Sequence, residues 1–365
     1  MNIIVTEINF LEIEPEDCLD FDFILSDQSN ISVKLTTAHR FLENKKSFSK
    51  NFKEKFGTVR YDEFCRKLIL AEIIKFSHDD NIIHRELAAT AVNNVEVKNL
   101  ADKIYSSYQY DLQIKAVSLS TAIWLIKDSC VQSTLSYTIL DNSYSSAASS
   151  DMYYTLANGS HKSSVIRKDE IKRLKDYYEL VYPLINKRIG NKEIEMTHIG
   201  PNFASLENSK IDRSGFSSYT RALVFLQEAR NSGLLASKID KYLQILQCLY
   251  AFSDGTRRIG RKLRNISANL LTDDSKEKKI ITDNIAIAYK IRSRHTHGNK
   301  LNFSQREIED ISKKLDEYVR GILLKLLPNK ELNYSDEETQ IFVRDRMLEF
   351  NEGNFTNYFK RILKR

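Results

Sequence analysis

Apolar and polar positions alternate with a period of two at the start of this chain and settle into a period near 3.6 at its end. Residues 2–13 carry Ile3, Val5, Ile8 and Phe10 and predict a strand. Phe21, Phe23 and Leu25 alternate with polar residues, and Ile31, Val33 and Leu35 do the same after Asp27-Gln28-Ser29-Asn30, which predicts a β-hairpin. From about Tyr61 the pattern reads as helix, with Phe64, Leu68, Ala71 and Lys75 on one face. Helical pieces are expected from Ile82 to Trp124. Residues 141–164 hold eight serines and read as a flexible polar loop. Lys168 to Leu184 returns to helix, stopped near Pro183.

The C-terminal part is more regular. Helices are expected over Ser217–Ala229, Ile239–Phe252, Thr256–Leu271 and Asp283–Arg292. A last long helix carries Ile308, Ile311, Leu315, Val319, Ile322 and Leu326 at intervals of three or four. Ser304 opens it with Glu307 three residues on, the pattern of a capping box. Five helices with short connections predict an antiparallel bundle. Gly190, Gly200-Pro201 and Gly215 mark a linker, with the boundary near 200–215. The expected organisation is an N-terminal α+β domain over 1–205 with a small β-hairpin or sheet, a helical bundle over 206–330 and a helical tail over 331–365. The fold class is mainly α.

Composition narrows the class. The chain has 365 residues, 42% hydrophobic and 28% charged, which is ordinary for a soluble globular protein. No apolar run approaches the ~18 residues of a membrane span. The first 30 residues hold eight acids and no Lys or Arg, unlike a secretory signal. Cys18, Cys65, Cys130 and Cys248 are far apart and read as reduced thiols in a cytoplasmic protein. The net charge is +6, yet residues 254–300 alone hold twelve Lys or Arg against five acids. Arg257, Arg261 and Arg264 would share a helix face, flanked by Arg258 and Lys262, and such a face suits an RNA backbone.

The same basic segment ends in Arg292-Ser293-Arg294-His295-Thr296-His297-Gly298. Arginine holds phosphate with a planar fork of donors, and histidine moves protons near neutral pH. Together they can cleave a phosphodiester without a metal. Arg292 and His297 are five apart, so an ideal helix separates them by about 140°. They converge best if the helix ends or loosens within the run, which Thr296 and Gly298 allow. Gly255-Thr256-Arg257-Arg258-Ile259-Gly260-Arg261-Lys262 lacks the Lys-Ser/Thr ending of a phosphate-binding P-loop. His78-Asp79-Asp80, His84-Arg85-Glu86 and the Glu195/His198 pair match no defensible metal spacing, so no metal or cofactor is expected.

This run resembles the signature of the HEPN superfamily, small helical domains of nucleic-acid-related toxins and defence proteins, whose pattern is Arg, four to six residues, then His. It is most similar to the ApeA-like branch, where Tyr-x-x-Arg-Ser leads to His-Gly; here these are Tyr289, Arg292, Ser293, His297 and Gly298. The resemblance covers roughly 215–330. It implies a metal-independent endoribonuclease, with Arg292 neutralising the scissile phosphate and His297 acting as general base or acid. Ser293, Arg294, His295 and Asn299 are supporting candidates; the glycine that follows makes His297 the better match than His295. It further implies a toxin or anti-phage role in a prokaryotic cytoplasm. The active site would be composite across a homodimer, with a phage trigger or antitoxin as a possible partner. One branch carries a modified tyrosine two positions after the histidine, where this chain has Asn299. The alternative expectation is a non-catalytic helical protein that binds nucleotide or RNA, or acts as a scaffold.

Overall fold

The computed structural model describes residues 2–14, 22–28, 31–74, 95–140, 144–149, 153–190, 218–250 and 259–327. The linker near 200–215, the tail over 331–365, Arg257, Arg258, Cys18 and the His78, His84 and Glu195/His198 groups lie outside them. The fold is mostly helical, with an N-terminal antiparallel sheet followed by a helical bundle.

The N-terminal part holds β1 (Asn2–Asn9), β2 (Leu11–Ile13), β3 (Asp22–Gln28), β4 (Ile31–Thr37), α1 (Ala38–Asn44), α2 (Lys46–Phe56), α3 (Thr58–Phe64) and β5 (Leu68–Ile74). There follow α4 (Val95–Ile126), β6 (Gln132–Leu140), β7 (Tyr144–Ser149), β8 (Ser164–Ile166) and α5 (Lys168–Gly190). Six strands form one antiparallel sheet in the order β3-β4-β5-β1-β6-β7, and β2 pairs in parallel with β8. The expected hairpin is β3–β4, with Asp22 opposite Thr36 and Gln28 opposite Ile31.

Strand alternation gives the sheet two buried faces. Ile3, Val5, Ile69, Ala71, Tyr137 and Ile139 pack against Phe41, Phe48, Phe52 and Phe64 of α1–α3. Ile4, Ile8, Val33, Leu35 and Leu70 face the other way, into a cluster shared with α4 and the bundle. Val5 sits opposite both Ala71 and Tyr137, which holds the central strands in register.

Three segments fold differently from what their sequence pattern predicts. Leu68–Ile74 is a strand rather than the continuation of a helix. Its run Leu-Ile-Leu-Ala-Glu-Ile-Ile is buried on both sides, so its apolar positions match either period. The serine-rich stretch 141–164 is not all loop, because it contains β7 and begins β8. The α5 helix continues through Pro183 to Gly190.

The polar character of β6 and β7 has a partner. Gln109 on α4 donates to Thr138 Oγ1 and Ser146 Oγ, each at 2.7 Å. Gln113 donates to Ser136 Oγ at 2.5 Å and accepts from Ser133 at 2.7 Å. Lys115 reaches the buried Glu72 at 2.8 Å. The sheet and α4 thus meet through hydrogen bonds where the sequence offers few apolar residues.

The bundle contains α6 (Ser218–Asn231), α7 (Leu235–Tyr250), α8 (Ile259–Leu271), α9 (Ser275–Thr296) and α10 (Gln305–Leu326). The capping box at Ser304 and Glu307 is present. Gly321 permits close passage of two helices, since a Cβ there would stand 2.9 Å from Leu271 Cδ2 of α8.

Asp316 of α10, buried to 1% exposure, ties the bundle to the rest. Its Oδ1 accepts from Trp124 Nε1 at the end of α4 and from Tyr242 Oη of α7, both at 2.8 Å. Its Oδ2 accepts from Arg320, whose guanidinium lies over the Trp124 ring at 5.3 Å. Nearby, buried Arg230 at the end of α6 stacks on Tyr154 at 4.1 Å and donates to Ser120 Oγ of α4 at 2.8 Å. Burial brings the Lys238 ammonium of α7 down to about 8, against the pull of Asp316 and Asp128.

No helix among the described residues is long and apolar enough to cross a membrane.

Removing one partner of a buried charge network leaves the others desolvated and unpaired, at a cost of about 3–5 kcal/mol. Asp316→Ala is therefore expected to lower unfolding free energy by that order in urea titrations. Asp316→Asn keeps an acceptor for Trp124 and Tyr242 and should lose less. A cost for Asp316→Ala no larger than that of an exposed-site control would remove Asp316 from this role.

Candidate active site

The motif sits at the end of α9. Asp274 caps its start, accepting from the Glu277 amide at 2.8 Å. Ile281, Ile285, Ala288 and Ile291 form its buried stripe. The helix stays regular through Thr296, with His297 as its C-cap at φ −90° and ψ 8°. Gly298 takes a left-handed φ of 67°. Its amide donates to His295 O at 3.2 Å, and the Asn299 amide donates to Arg294 O at 2.8 Å. These two bonds make a Schellman cap, which satisfies carbonyls the helix leaves open. Gly298 and Asn299 thus have a structural task, independent of any chemistry.

The expected helix terminus is present, but it comes late. Because regular helix persists past His295, the separation of about 140° between Arg292 and His297 survives up to the cap. Arg292 and His295, three apart, share a face instead.

That face meets α7, which runs antiparallel to α9 through three polar contacts. Ser237 Oγ and His295 Nε2 are 3.0 Å apart. Arg292 Nε lies 2.6 Å from Asp240 Oδ1. Gln247 Nε2 donates to Tyr289 Oη at 2.9 Å. The Arg292–Asp240 contact is an ion pair off the line of a hydrogen bond, since Oδ1 is buried without an aligned donor among the described residues. Gln244 donates to the second oxygen, Oδ2, at 2.8 Å. The Arg292 guanidinium also lies over the Tyr289 ring, 5.8 Å from its centre. Burial raises the Tyr289 phenol, while Gln247, Arg292 and Arg264 work in the opposite direction.

The remaining candidates distribute around this core. Ser293 and His297 are exposed, and no hydrogen bond holds the His297 ring among the described residues. Arg294 Nη1 donates to Lys300 O at 3.0 Å, closing the turn after the helix. On α8, Arg261 is exposed, Lys262 is half-buried, and Arg264 donates from Nε to Gly260 O at 3.2 Å. A Cβ on Gly260 would meet the Tyr289 ring at 3.6 Å, so the start of α8 lies against the motif. Arg264, bonded to Gly260 O, therefore stands on the turn of α8 that lies against the Tyr289 ring.

Sequence reasoning missed Ser237, Asp240, Gln244 and Gln247. Their one recoverable signal is a polar stripe on an otherwise apolar helix. Nothing local links them to residues more than forty positions further on.

Gly298→Ala forces a Cβ into the left-handed region and is expected to cost about 1 kcal/mol. Thermal melts should show Gly298→Asn losing less, since asparagine tolerates that region. Equal melting temperatures for wild type and Gly298→Ala would refute the cap. Comparison of the whole chain with protein-family models, with curated proteins and with solved structures finds no match.

Proposed function

We propose that this protein is a metal-independent endoribonuclease whose active site is built on Arg292 and His297. The observation that carries this reading is the setting of Arg292. It is paired with Asp240, its guanidinium lies over the Tyr289 ring, and it stands at a helix end that also presents His297 to solvent. Arg292 would neutralise the phosphate in the transition state. His297 would take the proton of the RNA 2′-hydroxyl. Arg261, Lys262 and Arg264 would follow the strand backbone, and Arg257 and Arg258, just before them in the sequence, would add to the positive charge.

The persistence of helix through Thr296 supports a composite site. One chain turns Arg292 and His297 toward different sides. Two chains related by a two-fold axis can bring the arginine of one to the histidine of the other. The proposed assembly is a homodimer through the bundle. The proposed setting is a prokaryotic toxin or anti-phage effector, restrained or triggered through the N-terminal part.

A second reading has its own support. The Asp240 pair and the Schellman cap account for Arg292 and Gly298 by structure alone, as a scaffolding or non-catalytic nucleic-acid-binding bundle would.

Cleavage decides between them. Purified protein is expected to cut RNA in EDTA, leaving 2′,3′-cyclic phosphate and 5′-hydroxyl ends. Arg292→Ala and His297→Ala should each lower the rate by ~10²–10⁴-fold with unchanged circular dichroism. Complete inhibition by EDTA with rescue by added metal would overturn the mechanism. RNA binding without cleavage would favour the second reading.

For the assembly, mixing wild type with Arg292→Ala chains should lower activity more than dilution alone. A fully active monomer would refute the composite site and leave the ribonuclease reading standing.

A further inference from the structure

Phosphodiester cleavage by a 2′-hydroxyl requires two proton movements. The attacking oxygen loses a proton and the departing 5′ oxygen gains one. Arg292 cannot supply either, because a guanidinium stays charged. His297 accounts for one. The chain holds a second exposed imidazole in the same helical turn, and it lies on the Arg292 side.

We propose that His295 is the general acid of this site, oriented by Ser237. This rests on the ribonuclease reading and extends it to the leaving group. Arg292 and His295 stand three apart on α9, so their side chains emerge as neighbours about 5–6 Å apart at Cβ. Their anchors, Asp240 and Ser237, stand three apart on α7. The two contacts, 2.6 Å and 3.0 Å, are adjacent rungs between the antiparallel helices. The phosphate binder and the imidazole are therefore placed by one pair of helices, whereas His297 lies beyond the end of this ladder as the cap.

The contact with Ser237 suits the protonated form of His295, because a hydroxyl oxygen can accept from Nε2. An imidazolium donates from both ring nitrogens. In that charged form Nε2–H would donate to Ser237 Oγ, 3.0 Å away, and Nδ1–H would remain for the departing oxygen. The ring is exposed, so a bound strand can reach it. In the step itself the 2′ oxygen bonds to phosphorus and passes its proton to His297. The bond from phosphorus to the 5′ oxygen breaks, and that oxygen takes the Nδ1 proton of His295. The products are a 2′,3′-cyclic phosphate and a 5′-hydroxyl. His295 ends neutral and His297 protonated, and exchange with water resets both. No oxidant, reductant or further reactant enters. Ser237 is a positioning residue: it touches His295, not the strand.

The test uses two substrates that differ in one atom. One is an ordinary RNA oligonucleotide, and the other carries sulfur in place of the departing 5′ oxygen. A thiolate leaves without needing a proton. On ordinary RNA, His295→Ala is expected to be slower than wild type by ~10²-fold or more. On the sulfur substrate it should match wild type within experimental scatter. His297→Ala should stay slow on both. Ser237→Ala should show a smaller loss on ordinary RNA that also disappears with sulfur, which a merely structural defect would not do.

A His295→Ala protein as fast as wild type on ordinary RNA overturns this inference and leaves the ribonuclease reading intact. So does a loss of equal size on both substrates, because it would assign His295 to holding the strand. No cleavage of either substrate by the wild type overturns the ribonuclease reading and this one with it.

Discussion

The buried carboxylate of Asp316 is the point on which the arrangement of this molecule depends. It accepts from an indole at the end of α4, a phenol on α7 and a guanidinium on its own helix. An apolar core is tolerant of small slides between helices, because dispersion is non-directional. Hydrogen bonds to a desolvated charge are not, since any loss of alignment exposes the full cost of burying it. Asp316 therefore sets α4, α7 and α10 relative to one another. Arg230, stacked on Tyr154 and bonded to Ser120, repeats the device one helix away.

α7 carries that placement to the motif. Lys238 and Tyr242 look inward, toward the loop before β8 and toward Asp316. Ser237 and Asp240 look toward α9, where they hold His295 and Arg292. One helix thus faces the buried network on one side and the motif on the other. The structure also gives the motif glycine a dual standing: it serves helix termination, and by doing so it leaves His297 facing solvent.

Much of the bundle was legible in the sequence. Helices α6 to α10 follow apolar periodicities over long windows, and Ser304 with Glu307 announced the start of α10. The β3–β4 hairpin was legible for the matching reason, period two on both sides of a polar turn. β5 was not, because a strand buried on both faces has no alternation to read. β6 and β7 were not, because their inward residues are Ser and Thr. These satisfy Gln109 and Gln113 of α4, so the sheet holds there through polar pairs that composition scores as loop. At the site, Arg292, His295 and His297 stood out as residue types, and the helix end near them was foreseen. Where the end falls was not, and one or two residues there decide which histidine shares a face with the arginine.

Local chemistry set the bundle helices, the Ser304 capping box, the hairpin, the concentration of positive charge and an arginine with two histidines in one short run. Each of these depends on residues within a turn or two of one another, where periodicity and capping chemistry act. Packing alone put Asp240 and Ser237 against Arg292 and His295, joined α4 to the bundle through Asp316, and made a sheet edge of a serine-rich stretch. Those contacts join residues tens to nearly two hundred positions apart. A polar side chain in a sequence does not say which distant partner will repay its desolvation, and that choice is made only when the helices pack.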